Sequence, residues 1–145
     1  MTWKSHRVLT GFAVLLYSHN PFYATAAAFG STFPDMVEMA LPGPAKWYHR
    51  KLSHWFVPYL VALLVSTQVA PWFGSSHRAL SLIFWFLVGC LAHIAEDAVC
   101  GKIPVLDPNK PVYVCPRLFY AGSPKEYVFV AVVLAMVAAV TRLVS

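Results

Sequence analysis

Five apolar stretches alternate with polar breaks along the chain, two of them short turns and two of them long loops. The last three are close in length to the roughly 20 residues that cross about 30 Å of hydrocarbon as a helix, and the first two are shorter. Prolines and glycines in the breaks are typical of helix ends. The pattern therefore predicts helices at about residues 5–18, 21–36, 53–70, 78–100 and 124–144.

The polar break at residues 18–21 decides how the first two stretches are interpreted. A single span over residues 8–29 would place three polar side chains and a proline without a backbone donor at mid-bilayer, which is costly. A tight turn between two short helices avoids this cost. The start of the chain also resembles a signal peptide, because basic residues precede an apolar stretch, but the polar break favours the turn.

Composition restricts the environment of the chain. Of its 145 residues, 59% are hydrophobic and 12% are charged, whereas a soluble domain has about 45–50% and about 25%. A water-soluble globule of this size needs more charged side chains on its surface than this chain has. The expected environment is therefore a lipid bilayer. The basic residues are scattered singly, which argues against nucleic-acid binding, and the three cysteines lack the spacing of a disulfide framework.

The positions of the basic residues predict an orientation in the membrane. Arg78 and Arg142 fall on one face, while the other basic residues fall at the N-terminus, in the loops 37–52 and 101–123, and at the start of the last helix. Because cytoplasmic loops are rich in lysine and arginine, we expect the N-terminus and both loops in the cytoplasm. The expected fold is an all-α integral membrane protein, a single compact bundle over residues 1–145 of about five transmembrane or membrane-embedded helices.

The ionisable residues of these helices concentrate at one set of helix ends. Antiparallel neighbouring helices bring these ends to the same membrane face, so four histidines and four carboxylates meet there. Both groups are common ligands of divalent metal ions. His93 and Asp97 are four residues apart and project from one face of a helix. The group comprises His6, Asp35, Glu38, His49, His54, His93, Glu96 and Asp97.

Each member also has an interpretation without a metal. His93 could be a satisfied histidine near a helix end, and Asp35 could accept hydrogen bonds at a turn. His49 and His54 could lie among lipid headgroups. The convergence of all of them favours a metal site at one membrane face.

The start of the last helix has its own signature. Ser123 is followed by Pro124 and, three residues after the serine, by Glu126. Serine at the cap, proline at the first helical position and glutamate at the third predict a capping box. The box would fix the start of this helix close to the polar cluster.

Four blocks of the chain form a recognisable pattern: Ser-His-Arg at 5–7 with Gly11, Gly-Ser-Thr-Phe-Pro-Asp at 30–35, His-Arg-Lys-Leu-Ser-His at 49–54, and Ala-His-Ile-Ala-Glu-Asp at 92–97 followed by Gly-Lys-Ile-Pro-Val-Leu-Asp-Pro at 101–108. In their order and joint occurrence they resemble the YdjM-like family of bacterial inner-membrane proteins. That family is described as LexA-regulated, membrane-bound, metal-dependent hydrolases. Residues 121–126 resemble a further family element before the last helix.

The chain departs from the family pattern at four positions. Val37 and Glu38 stand where the family has an aspartate and a histidine, and Lys51 and Trp55 stand where it has a glycine and a serine. Valine cannot bind a metal, whereas glutamate can replace histidine as an oxygen ligand. The resemblance then implies a single ion, or two ions that share fewer protein ligands.

The cluster and the resemblance together suggest a role for each residue. A divalent ion with an open position polarises a phosphoryl oxygen and lowers the pKa of water. We expect zinc, with manganese or magnesium as alternatives. The expected ligands are His6, Asp35, His54, His93 and Asp97, with His49 as a further ligand or as the proton donor. Glu96 or Glu38 is the expected general base, and Arg50, with Lys51, Lys102 and Arg117, would bind an anionic group.

These roles predict a metal-dependent hydrolase at the cytoplasmic face of the inner membrane, with a lipid or a lipid-linked phosphoester as its substrate. The first alternative is a non-catalytic interaction protein whose ion fastens the helix ends together. A membrane peptidase and a metal transporter rank lower, the transporter because its polar residues would have to continue through the bilayer.

Overall fold

The computed structural model describes residues 1–40, 50–69 and 77–144 and is mostly helical. Because residues 41–49 are outside this range, the predicted roles of His49 fall outside the described residues. Two short strands follow the fifth helix. The elements are α1 (Trp3–Ser18), α2 (Pro21–Gly30), α3 (Phe33–Ala40), a 3-10 turn (Leu52–His54), α4 (Phe56–Val69), α5 (His77–Cys100), β1 (Lys102–Pro104), β2 (Pro111–Tyr113) and α6 (Pro124–Val144).

The chain turns sharply between α1 and α2. His19 ends α1 with a left-handed backbone, at a φ of 51°. The side chain of Asn20 accepts a hydrogen bond from the backbone N–H of Phe22 at 2.9 Å, and Pro21 occupies the first position of α2. These caps satisfy the helix ends, so residues 3–30 form two helices and not one span.

The predicted helix at 21–36 is wrong as a single helix, because it is divided into α2 and α3. The hydroxyl groups of Ser31 and Thr32 donate to the carbonyl oxygens of Ala28 and Phe29, at 2.8 and 3.0 Å. Such local bonds compete with helical ones, and Pro34 has no N–H to offer to the preceding turn. The break frees the carbonyl group of Ser31 for the site described below.

Helix α2 packs closely between α1 and α5. A β-carbon at Gly30 would collide with the backbone of Phe86 in α5, and one at Gly89 would collide with the backbone of Ala27 in α2. Small residues allow helices in a membrane to approach this closely. The contact places the end of α2, and therefore the start of α3, beside the second half of α5.

Two helices are long and apolar enough to cross a bilayer among the residues that the structure describes. Arg78–Cys100 has a mean hydropathy of 1.8, and Pro124–Leu143 has a mean hydropathy of 1.9. They overlap the predicted helices at 78–100 and 124–144. Helix α4 is apolar but has only 14 residues, and it begins at Phe56 because the predicted start at 53 lies in the 3-10 turn.

The segment between α5 and α6 contains a small antiparallel hairpin that the sequence did not predict. Lys102 pairs with Tyr113 and Ile103 pairs with Val112. Ile103 is buried, and the carbonyl oxygen of Val105 accepts a hydrogen bond from the Trp55 side chain at 3.1 Å. The expected all-α fold is therefore correct for the bundle but wrong for the loop at 101–123.

The start of α6 is tied to the start of α1. Glu126 accepts hydrogen bonds from the backbone N–H of Gly122 at 2.6 Å and from both the N–H and the hydroxyl group of Thr2 at 2.8 Å. Of the two hydrogen bonds of the predicted capping box, the one from the serine side chain is missing. The Ser123 hydroxyl is buried without a hydrogen-bond partner in the described part of the chain. Glu126 thus joins two helix N-termini.

Candidate metal centre

Residues from four separate elements meet near the end of α5. His6 comes from α1, Asp35 from α3, His54 from the 3-10 turn, and His93 and Asp97 from α5. The three histidines are fully buried and Asp97 is 3% exposed, while the Asp35 side chain is 20% exposed. The five ligands predicted from the sequence are therefore brought together, with Asp35 closest to the surface.

Two imidazole nitrogens lie together at the centre of this group, and each is close to an oxygen of Asp35 and to an oxygen of Asp97. Nε2 of His54 lies 3.0 Å from Nε2 of His93. Oδ1 of Asp35 lies 3.4 and 3.6 Å from these two nitrogens, and Oδ2 of Asp97 lies 3.5 and 3.9 Å from them. Four donors at about 2.1 Å from one ion in tetrahedral geometry lie roughly 3.4 Å apart. Asp35, His54 and His93 therefore fit a divalent ion in size and in chemistry, and Oδ2 of Asp97 lies close enough to both nitrogens to be a fourth donor.

The Nδ1 atoms of His54 and His93, on the far side of each ring from the donor atoms Nε2, each lie against a hydrogen-bond acceptor. Nδ1 of His93 donates to the carbonyl oxygen of Ser31 at 2.7 Å, and Nδ1 of His54 lies 3.0 Å from Oε1 of Glu38. A carbonyl or carboxylate on Nδ1 fixes the tautomer that leaves a lone pair on Nε2, as in many metal sites. When both rings are neutral, the two lone pairs point to the same place, where a cation would take the position of the proton.

The electrostatic environment also favours positive charge at this point. Burial by itself would lower the pKa of His54, but its contacts with Asp35, Asp97 and Glu38 raise that pKa to about 10. Burial would raise the pKa of Asp35, yet hydrogen bonds to His54 and His93 hold it well below its usual range. Carboxylates that remain ionised in a buried pocket are typical of a cation site.

Arg50 lies at the edge of the donor set. Its Nη2 is 2.9 Å from Oδ2 of Asp97, and its backbone N–H donates to Oε1 of Glu38. Its Nε is buried without a hydrogen-bond partner among the described residues. A φ of 51° at Arg50 is unusual for a residue other than glycine, and such backbone outliers cluster at functional sites. Gly101 leaves the space that the guanidinium fills.

His6 approaches the other oxygen of Asp97. Its Nε2 is 3.4 Å from Oδ1 of Asp97, and its ring centroid is 4.0 Å from that of His93. Its Nδ1 contacts Oε2 of Glu96, whose other oxygen accepts a hydrogen bond from Thr10 at 2.9 Å. His6 therefore has the same arrangement as His54 and His93, with an acceptor on Nδ1 and Nε2 directed inward.

The remaining predicted residues have different surroundings. Glu38 and Glu96, the two expected bases, hold histidine rings in place. Lys102 lies over the ring of Tyr113, and Arg117 lies over the rings of Tyr113 and Tyr120.

Several contacts of the site were missed by the sequence reasoning. Ser53 donates to Glu38 at 2.9 Å, and Trp3 donates to Oδ2 of Asp35 at 2.7 Å. Thr10 and the Ser31 carbonyl oxygen support Glu96 and His93. Ser53 lies inside a block that the sequence had singled out, whereas a backbone carbonyl gives no signal in a sequence.

Comparison with known proteins agrees with the membrane character and with the resemblance. The family model YdjM, described as an inner membrane protein, matches residues 1–144. No curated protein and no solved structure matches the chain. Since the match covers nearly the full length, the chain belongs to the YdjM family of inner membrane proteins.

Proposed function

We propose that this inner membrane protein is a metal-dependent hydrolase that acts on a lipid or lipid-linked phosphoester at the cytoplasmic face. The observation that carries the proposal is the meeting of Asp35, His54 and His93, with Asp97 close to both histidines and to the guanidinium of Arg50. Nitrogen and oxygen donors of this kind suit zinc, and manganese is the first alternative. A divalent ion bound there would polarise a phosphoryl oxygen and lower the pKa of water.

The residues around the donor atoms orient the histidine ligands or bind the substrate. Glu38 and Glu96 act as positioning residues, because their oxygens are engaged with His54 and His6. Arg50 has donors left for an anionic group of the substrate, since Nε has no partner among the described residues. A planar guanidinium suits the oxygens of a phosphate better than an ammonium does.

The depth of the site supports a lipid substrate. Residues 93–97 lie three to seven positions before the end of α5, which is about 5–10 Å along the helix axis. If α5 spans the bilayer, the donors lie close to the level of the headgroups. A phosphate at that level can reach Arg50 while its lipid chain stays in the membrane. His49, in the block before His54, remains the predicted proton donor.

The metal-fastened interaction protein remains the second candidate, and one observation favours it. Asp97 lies within 3.9 Å of both histidines of the group Asp35, His54 and His93, and as a fourth ligand it would fill the last position of a tetrahedral ion. Structural zinc sites are closed in this way, whereas catalytic sites keep one position open. The two candidates therefore differ in whether bound metal is accompanied by turnover.

The test uses the full-length chain purified in detergent, with measurement of bound metal and of hydrolysis of phosphatidic acid, a lysophospholipid and a polyprenyl phosphate. We expect hydrolysis that is lost on chelation and restored by metal. His93→Ala and Asp97→Ala should lose both metal and activity. His19→Asn should keep both, because His19 is exposed at a left-handed turn that asparagine tolerates.

Two outcomes would contradict the proposal. Stoichiometric metal without turnover of any phospholipid or peptide would favour the interaction protein. A chain that binds no divalent metal would refute both candidates.

Gly101→Ala separates the role of Arg50 from metal binding. The new β-carbon would collide with Nη1 of Arg50, the end of a flexible side chain, so the guanidinium must move while the donor set remains. We expect unchanged metal content and a loss of roughly 10- to 100-fold in phosphoester turnover, the contribution of one hydrogen bond to a charged group. Arg50→Lys should cause a similar loss, and full activity of both variants would exclude the anion-binding role.

A further inference from the structure

Asp97 presents its two oxygens to two different groups of residues. Oδ2 faces Nε2 of His54 and of His93, at 3.5 and 3.9 Å, whereas Oδ1 faces Nε2 of His6 at 3.4 Å. We propose that Asp97 bridges two divalent cations, the second of which is bound by His6 and by Oδ1. This inference rests on the metal centre of the proposed function and adds a second ion to it.

The state of His6 supports the second site independently. Its side chain is fully buried, and Nε2 has no hydrogen-bond partner in the part of the chain that the structure describes. In the neutral ring, the acceptor Glu96 keeps the N–H on Nδ1, so the lone pair of Nε2 is directed towards Asp97. A buried acceptor without a donor is unfavourable, and a cation at this position would satisfy it.

His93 cannot bind the second ion while it is a ligand of the first. Its Nδ1 is occupied by the carbonyl oxygen of Ser31, so Nε2 is its one remaining donor atom. The ring of His93 contacts both other imidazoles, with centroids 4.0 Å from that of His6 and 5.0 Å from that of His54. This leaves His6 and Oδ1 as a pair of donors apart from the four-donor set.

Positive charge is already stabilised at both oxygens of Asp97. The guanidinium of Arg50 lies 2.9 Å from Oδ2, and the amino group of Met1 contacts Oδ1, where the second ion would replace it. Sharing of one carboxylate between two ions about 3.5–4 Å apart is typical of phosphatases and nucleases. The second ion would therefore make the centre a two-metal site of the kind that takes phosphoesters.

The experiment counts ions in the full-length chain in detergent, stripped with a chelator and then reloaded with Mn²⁺. Elemental analysis should give two ions per chain, and electron paramagnetic resonance should show the exchange-coupled signal of a manganese pair. His6→Gln should reduce the content to one ion and abolish the coupling. His19→Asn is the matched control and should keep two coupled ions.

A content of one ion in the unsubstituted chain would overturn the inference, as would two coupled ions in His6→Gln. If His6→Gln does not fold, the presence or absence of the coupled signal in the unsubstituted chain still shows whether two ions are bound. Failure here is distinct from failure of the proposed function. A chain with one ion that hydrolyses phospholipid refutes the second ion alone, whereas a coupled pair without turnover refutes the hydrolase alone.

Discussion

At the scale of the residue, the orientation of each imidazole ring matters more than its presence. Glu96, Glu38 and the Ser31 carbonyl oxygen lie on the Nδ1 sides of His6, His54 and His93. Because each Nδ1 has an acceptor, each Nε2 is left to bind a cation. The two glutamates therefore contribute to the site without being ligands themselves.

Glu38 allows this positioning to be tested. In Glu38→Ala, His54 loses its carboxylate, and the hydroxyl of Ser53 and the N–H of Arg50 lose their acceptor. We expect metal affinity to fall by roughly 10- to 100-fold, as for other partners of metal-binding histidines. Competition with a coloured chelator would measure the change.

The conservative variant Glu38→Gln is the control for this prediction. It keeps a side-chain oxygen that can accept from Nδ1, so its loss of affinity should be smaller than that of Glu38→Ala. Equal affinity of the original chain and Glu38→Ala would show that His54 does not need this partner.

At the scale of the element, the position of α2 controls the site. The contacts of Gly30 with Phe86 and of Gly89 with Ala27 hold α2 against α5. The carbonyl group of Ser31, one residue beyond α2, then reaches His93. A substitution in the α2–α5 contact should therefore weaken metal binding even though it changes no predicted ligand.

Gly89→Ala tests this coupling. Its β-carbon would collide with the carbonyl group of Ala27, which cannot move without a shift of α2. We expect a loss of roughly 1–3 kcal/mol in the free energy of unfolding, typical of overpacking, together with weaker metal binding. Thermal unfolding in detergent and chelator competition would measure the two effects.

Ala131→Val is the matched control, because Ala131 is exposed on the surface of α6. An added methyl group or two should be harmless there. If Gly89→Ala were as stable as Ala131→Val, the close packing of α2 on α5 would be wrong.

At the scale of the whole molecule, the apolar surface and the sparse charges agree with the inner membrane. Helices α4 and α6 expose apolar side chains such as Leu64, Val132 and Met136, which lipid can cover and water cannot. The predicted basic face combines the N-terminus with the hairpin and the segment before α4. We therefore propose that the metal centre faces the cytoplasm.

Cysteine labelling tests this orientation. In a chain without its native cysteines, Gln68→Cys near the end of α4 should react on intact cells with a thiol reagent that cannot cross the membrane. Asn109→Cys, exposed between β1 and β2, should react only after permeabilisation. The reverse pattern would place the site on the periplasmic face and contradict the positive-inside expectation.

Much of this protein could be predicted from local patterns. The apolar stretches indicated α5 and α6, and the polar break at 18–21 indicated the turn between α1 and α2. His93 and Asp97 share a helix face because their spacing is close to one helical turn. The division of α2 from α3 was missed, since the side-chain bonds of Ser31 and Thr32 compete with helix only in their folded context.

The sequence alone determined the membrane character, the family and the set of candidate metal ligands, because composition, motifs and helical spacing are local properties. Only the tertiary structure decided how these side chains are used. The assignment of Oδ1 and Oδ2 of Asp97 to different histidines depends on distances between separate helices. The role of Glu38 depends in the same way on α3 meeting the 3-10 turn, a contact that packing creates.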